Sequence, residues 1–105
     1  MSRIDDIYNH SQVSEKAIEQ YLVSEVERRG GLCLKYYNPT NIGYPDRIVI
    51  LPSFPAAWVE VKSRGKKPRP IQEVRHAKLR NLGQRVFVID SREGVMAALN
   101  NIIGL

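Results

Sequence analysis

Two apolar runs stand four residues apart in this chain: DRIVIL (46–51) and AAWVEV (56–61), joined by PSFP. Both are rich in the branched residues that suit strands, and so short a link folds them back on one another as a hairpin. The hairpin constrains the fold because each run carries a carboxylate where the chain meets its core. Asp46 opens the first run, and Glu60 stands near the end of the second, two residues before Lys62. Burying a charge is costly unless something pairs with it or binds it.

The register decides what these residues do. Centred on Ser53, it sets Asp46 opposite Glu60; centred on Phe54, it sets Asp46 opposite Lys62. A centre between the two sends Asp46 to the other face, so a convergent site requires a loop with an odd number of residues. Glu60 and Lys62, two apart, share a face, and directly opposed side chains hold their Cβ atoms about 5 Å apart. Two carboxylates and an amine then meet at one end of a rigid hairpin. Neighbouring acids repel unless a proton or a cation stabilises them. Hard divalent cations such as Mg²⁺ favour carboxylate, carbonyl and water oxygens. A lysine beside such a cation can orient or help deprotonate a water and offset phosphate charge, which is the apparatus of metal-assisted phosphodiester hydrolysis. The same residues can also form an Asp–Lys–Glu ion-pair network that caps the hairpin. Residue types alone leave both readings open.

Around the hairpin the elements follow in order. Residues 1–13 have weak periodicity and read as an arm or short helix, suited to packing on a partner subunit. From Ser14 to Arg29, Ala17, Ile18, Tyr21, Leu22 and Val26 recur at helical spacing, with Ser14 as N-cap and Gly30–Gly31 as the stop. LCLKYY (32–37) is a strand and NPTNIGYP a turn-rich loop. Beyond the hairpin and the loop SRGKKPR, Pro70 begins a helix to Leu82 that Gly83 ends. RVFVI (85–89) is the fourth strand, and Ser91 caps a last helix reaching Ile102. The order α-β-β-β-α-β-α predicts one small α/β domain over 14–105, its mixed sheet covered by helices.

The chain of 105 residues is long enough for one core and too short for two. No stretch is apolar enough to span a membrane, and the polar opening residues with Asp5 and Asp6 do not form a signal peptide. The one cysteine, Cys33, lies in an apolar run without metal-ligand spacing and reads as a buried thiol in a reducing compartment, which points to the cytoplasm. Ten of the sixteen Lys and Arg residues fall between Lys62 and Arg92, whereas the rest of the chain carries six basic residues against eight acidic. That asymmetry describes a surface for a polyanion, nucleic acid first. Tyr36 and Tyr37 suit either strand packing or base stacking; Tyr44, in the turn, is the better candidate for exposure. Trp58 shares a strand face with Glu60 and reads as a core wall. His10 and His76 have no partner at zinc or triad spacing, and His76 is left at most a contact to DNA from its basic helix.

The ordered set of motifs resembles the PD-(D/E)XK nuclease superfamily, and within it the VRR-NUC family (virus-type replication-repair nucleases). The residues that carry the resemblance are Glu15 opening a helix, Gly30–Gly31, Lys35, Gly43-x-Pro45-Asp46-Arg47, Val59-Glu60-x-Lys62, the loop Gly65–Arg69, and Gln72. It spans roughly Ser14 to Val95. It implies the restriction-endonuclease-like core and a Mg²⁺ or Mn²⁺ ion held by Asp46, Glu60 and the Val61 carbonyl. Lys62 would then position water and scissile phosphate, Gln72 would support the site, and Glu15 would complete the metal shell in preference to Glu19. Lys35, Tyr44, Arg64, Lys66, Lys67 and Arg69 would touch DNA without reading sequence. The expectation is a structure-selective DNA endonuclease, acting on four-way (Holliday) or other branched DNA as a homodimer in a phage or bacterial replication and repair setting. Its rivals are a non-catalytic DNA-binding module of the same fold, and an assembly protein whose basic face meets another acidic partner.

Overall fold

Ser14 turns the chain into its first helix, its hydroxyl accepting from the Ala17 N–H at 3.3 Å. This computed structural model describes residues 14–105; the arm expected over 1–13 lies outside the described residues. Helix α1 (Glu15–Arg28) buries Ile18, Leu22 and Val26, one stripe at four-residue spacing. Strand β1 (Leu32–Lys35) follows directly. Gly31, at the passage, has no room for a side chain: a Cβ there would collide with the Ile50 carbonyl oxygen.

Strands β2 (Arg47–Ile50) and β3 (Ala57–Val61) form the hairpin. Helix α2 (Pro70–Asn81) has proline in its first turn, and the Gln72 side chain accepts from the Arg69 N–H at 2.8 Å. Strand β4 (Arg85–Ile89) leads to α3 (Arg92–Ile102), capped by Ser91 through the Gly94 N–H at 2.9 Å. The observed order is the expected α-β-β-β-α-β-α. Only the ends of elements differ: Tyr36, Tyr37, Asp46, Leu51 and Ala56 lie just outside their strands.

The sheet runs β1-β2-β3-β4, with the first three strands antiparallel and β4 parallel to β3. Helices α1 and α3 lie on one face, where Val49, Val59, Val61 and Ile89 join Leu22, Val26, Leu99 and Ile102 in the core. Helix α2 packs on the opposite face chiefly against β4, with Gln72 and His76 reaching Glu60 of β3, so β1 keeps Leu32 and Leu34 exposed. For the same reason Trp58 is not the core wall expected of it. It is half-exposed beside α2, its ring 5.1 Å from Tyr36 and 6.4 Å from Tyr44. Cys33 is half-buried rather than buried, because its strand is an edge; burial still pushes its thiol up to about 11. Among the described residues no helix is long and apolar enough to cross a membrane.

Candidate active site

The hairpin register pairs Arg47 with Val59, Ile48 with Trp58 and Val49 with Ala57, and so centres on Ser53. Ser53 itself takes φ +69°, the left-handed turn conformation. One step beyond the last pair, Asp46 stands across from Glu60, not Lys62. At this point β2 continues toward β1 through backbone alone, the Tyr36 N–H bonding the Asp46 carbonyl at 2.8 Å. Toward β3 its side chain takes over: Asp46 Oδ2 accepts from the Val61 N–H at 3.1 Å. A residue in an antiparallel pair exchanges both backbone bonds with the same neighbour, so the Val61 carbonyl also faces the Asp46 side. Lys62, the next residue, turns its N–H to β4 and bonds the Ile89 carbonyl at 2.8 Å.

Glu60 is 1% exposed, and three side chains converge on its carboxyl. Gln72 Nε2 donates to Oε2 at 3.0 Å, Lys62 Nζ lies 3.8 Å from the same oxygen, and His76 Nε2 sits 3.4 Å from Oε1. Burial is the main force that pushes the Glu60 carboxyl up to about 8; the Asp46 charge adds to it and Lys62 opposes it. His76 is 2% exposed, and burial, assisted by Arg80, lowers its pKa. Burial thus disfavours the charged imidazolium beside Glu60.

His76 is the residue that sequence reasoning missed. Far from touching DNA from the surface of α2, it is buried against Glu60. The available signal was its spacing: it follows Gln72 by four residues, so both project from one helix face. Both contacts come from α2, which presents one amide and one imidazole to the two oxygens of a single carboxylate.

Asp46 borders two hollows. The smaller, about 350 Å³, is lined by Glu15, Glu19, Lys35, Tyr36 and Tyr37 with Asp46. Glu19 is engaged there, its Oε2 2.7 Å from Arg47 Nε, and Arg47 also bonds the Cys33 carbonyl at 3.1 Å. Glu15, in the first turn of α1, is exposed and makes no ion pair with a described residue. The larger hollow, about 550 Å³, extends past Tyr44 to Gln72 and Arg69. Another, about 560 Å³, lies between α1 and β1 and contains neither Asp46 nor Glu60.

Exposure falls on a different tyrosine from the one expected. Tyr44 is half-buried, edge-on to Tyr36 at 6.1 Å and beneath the Arg75 guanidinium at 5.2 Å, whereas Tyr37 is 84% exposed. Arg64, Lys66, Lys67 and Arg69 all lie on the loop between β3 and α2 and are exposed to solvent. The loop is tied to the sheet by the Gly65 N–H on Asp90 Oδ2 at 3.0 Å.

Among the described residues no three His, Cys, Asp or Glu side chains are grouped to hold a metal ion. A cation at this point would depend on two carboxylates with backbone and water oxygens, a set that Mg²⁺ accepts. The donors fit that role. Asp46 and Glu60 face each other, and Lys62 is the one full positive charge within ion-pair distance of Glu60 among the described residues, so a divalent cation would suit the pair.

A four-stranded mixed sheet with Asp46, Glu60 and Lys62 at one end of its hairpin is a small PD-(D/E)XK nuclease-type domain. No protein-family model matches the chain. A solved structure described as "VRR_NUC domain" is similar with a TM-score of 0.76 and 33% identity, over 82% of this chain and 94% of that one. "Putative nuclease p44" of Acyrthosiphon pisum secondary endosymbiont phage 1 is 42% identical over 90 residues, 84% of this chain and 97% of that protein. The chain belongs to the VRR-NUC family of nucleases.

Proposed function

We propose that this protein is a divalent-metal-dependent, structure-selective DNA endonuclease that cuts four-way or otherwise branched DNA. The observation that carries the reading is Asp46 across from a buried Glu60, with Lys62 3.8 Å from the Glu60 carboxyl. Asp46, Glu60 and the Val61 carbonyl would hold Mg²⁺ or Mn²⁺, with Glu15 closing the shell directly or through water. The ion, when bound, supplies Lewis acidity at the phosphate and a water of lowered pKa. Lys62 orients the attacking water and offsets charge gathering on the phosphate. Gln72 and His76 hold Glu60 in one orientation across from Asp46.

Arg64, Lys66, Lys67 and Arg69 follow the catalytic lysine directly and would run beside a bound strand, with Lys35 and Tyr44 near Asp46. Contacts of this kind give affinity without reading bases. Two symmetric cuts across a branch call for two sites, which a C₂ homodimer supplies. Similarity to a phage nuclease supports a setting in DNA replication and repair, in the cytoplasm of a bacterial or phage-infected cell.

Labelled four-way junction, flap and linear duplex, each incubated with Mg²⁺, Mn²⁺ or chelator, test the proposal. Cutting that needs metal, prefers the branched substrates and is lost in Asp46→Ala and Lys62→Ala is the expected result. Binding that persists in both variants without cleavage under any metal would make the protein a non-catalytic DNA-binding module.

A further inference from the structure

We propose that the larger hollow beside Asp46 is a pocket for one unpaired nucleotide next to the scissile phosphate, with Tyr37 as its stacking face. The inference rests on the nuclease reading above and names what the substrate must offer: a nucleotide free to leave the stack.

The geometry separates two compartments. The smaller hollow gathers Glu15, Glu19 and Asp46 against one lysine, Lys35, and is acidic. The larger, about 550 Å³, falls within the range of pockets that bury small organic molecules, roughly 300–1,000 Å³. Only Tyr36, Tyr37 and Asp46 line both, so a nucleotide in the larger one is the immediate neighbour of a phosphate at the carboxylates.

The walls suit a base. Tyr36 and Tyr44 are fixed. Tyr36 is 5.1 Å from Trp58, and its hydroxyl accepts from Asn38 Nδ2 at 3.0 Å. Tyr44 is held beneath Arg75, which also bonds the Ile42 carbonyl at 2.9 Å. Tyr37 alone of the three is 84% exposed, with no side-chain hydrogen bond or ring partner among the described residues. An aromatic ring left open beside catalytic carboxylates is a platform for a base, because every base offers a π face. The Asn41 backbone is pinned by Asn38 Oδ1 at 2.9 Å, which leaves its exposed side-chain amide at the rim for a base edge. Arg69, at the far wall, supplies a charge for the next phosphate.

A base inside a stacked duplex reaches such a pocket only by unpairing, at a cost of a few kcal/mol. Flaps, gaps and branch points offer the same base without that cost. The pocket thus gives a physical cause for a preference for branched over continuous duplex DNA.

The test places 2-aminopurine next to the cut in otherwise matched oligonucleotides, either unpaired or fully paired. Binding is followed in chelator, where no hydrolysis occurs. Wild-type protein should quench the unpaired probe and not the paired one. Tyr37→Ala should abolish the quench and weaken binding of the unpaired probe roughly tenfold, as loss of one base–aromatic stack does. Tyr37→Phe should restore both. Tyr37 lies on the surface, so neither change threatens folding. Equal quenching of the two probes, or a Tyr37→Ala protein that binds and quenches like wild type, would overturn the pocket. Cleavage of the same oligonucleotides by wild type with Mg²⁺ keeps the two readings apart. Cutting that persists beside a flat fluorescence result overturns the pocket alone. Quenching without cutting under any metal supports the pocket and removes the nuclease.

Discussion

At the scale of single residues the site turns on Glu60. Its ordinary value is 4.5, and burial beside Asp46 pushes it up to about 8. Between those values the folded protein keeps a proton that the unfolded chain has lost. Metal-free stability is therefore greatest toward the lower value and falls as pH rises toward the upper one, by at most about 1.4 kcal/mol per pH unit. Thermal unfolding in chelator should show that decline, and Glu60→Gln should flatten it; an unchanged slope in the variant would place the cause elsewhere. A cation at the site reverses the preference, since it binds the carboxylate and releases the proton. His76→Ala should cost about 10–100-fold in Mn²⁺ affinity or activity, the usual effect of losing a group that orients a ligand, with His76→Gln recovering part of it. The convergence of Asp46, Glu60 and Lys62 was legible because the hairpin leaves few registers and charges are conspicuous among Val and Ile. His76 was not, because its partner lies 16 residues away across a fold that helix periodicity does not describe.

At the scale of elements the local signals agree with one another. Ser14 and Ser91 cap their helices through their hydroxyls, proline opens α2, and glycines at positive φ follow the helices at Gly30, Gly83 and Gly104. Ser14→Ala should therefore cost about 1 kcal/mol by denaturant unfolding. Gly31→Ala is the harsher change, because its Cβ meets backbone that cannot yield, the Ile50 carbonyl. Overpacking of this sort costs typically about 1–3 kcal/mol, and an Ala variant as stable as wild type would show that β1 can shift freely against β2. What the elements did not disclose was coverage. Nothing in the sequence of α2 says that it packs chiefly against β4, and that placement leaves Trp58 half-exposed. Tyr37 owes its exposure to lying two residues beyond the end of β1, where the loop to Asp46 carries it clear of the Tyr36–Tyr44–Trp58 cluster.

At the scale of the molecule, charge and site sit together. The net charge of +5 is concentrated from Lys62 onward, and Arg69, at the end of the basic loop, lines the larger hollow together with Asp46. Removing one side chain that neutralises a phosphate should reduce the slope of log K against log salt by about 0.9 on duplex DNA. Lys66→Ala with Lys67→Ala should thus lower the slope by about two, leaving the relative affinity for different sequences unchanged. A shift in sequence preference would mean that the loop reads bases. In the proposed function, Asp46 and Glu60 form one divalent-cation site. Calorimetric titration of the metal-free protein with Mn²⁺ addresses it without reference to any substrate. Binding that is present in wild type and lost in folded Asp46→Asn and Glu60→Gln is the expected outcome. Mn²⁺ bound equally well by both variants would place the ion elsewhere, and would reduce the opposed carboxylates to a cap on the hairpin.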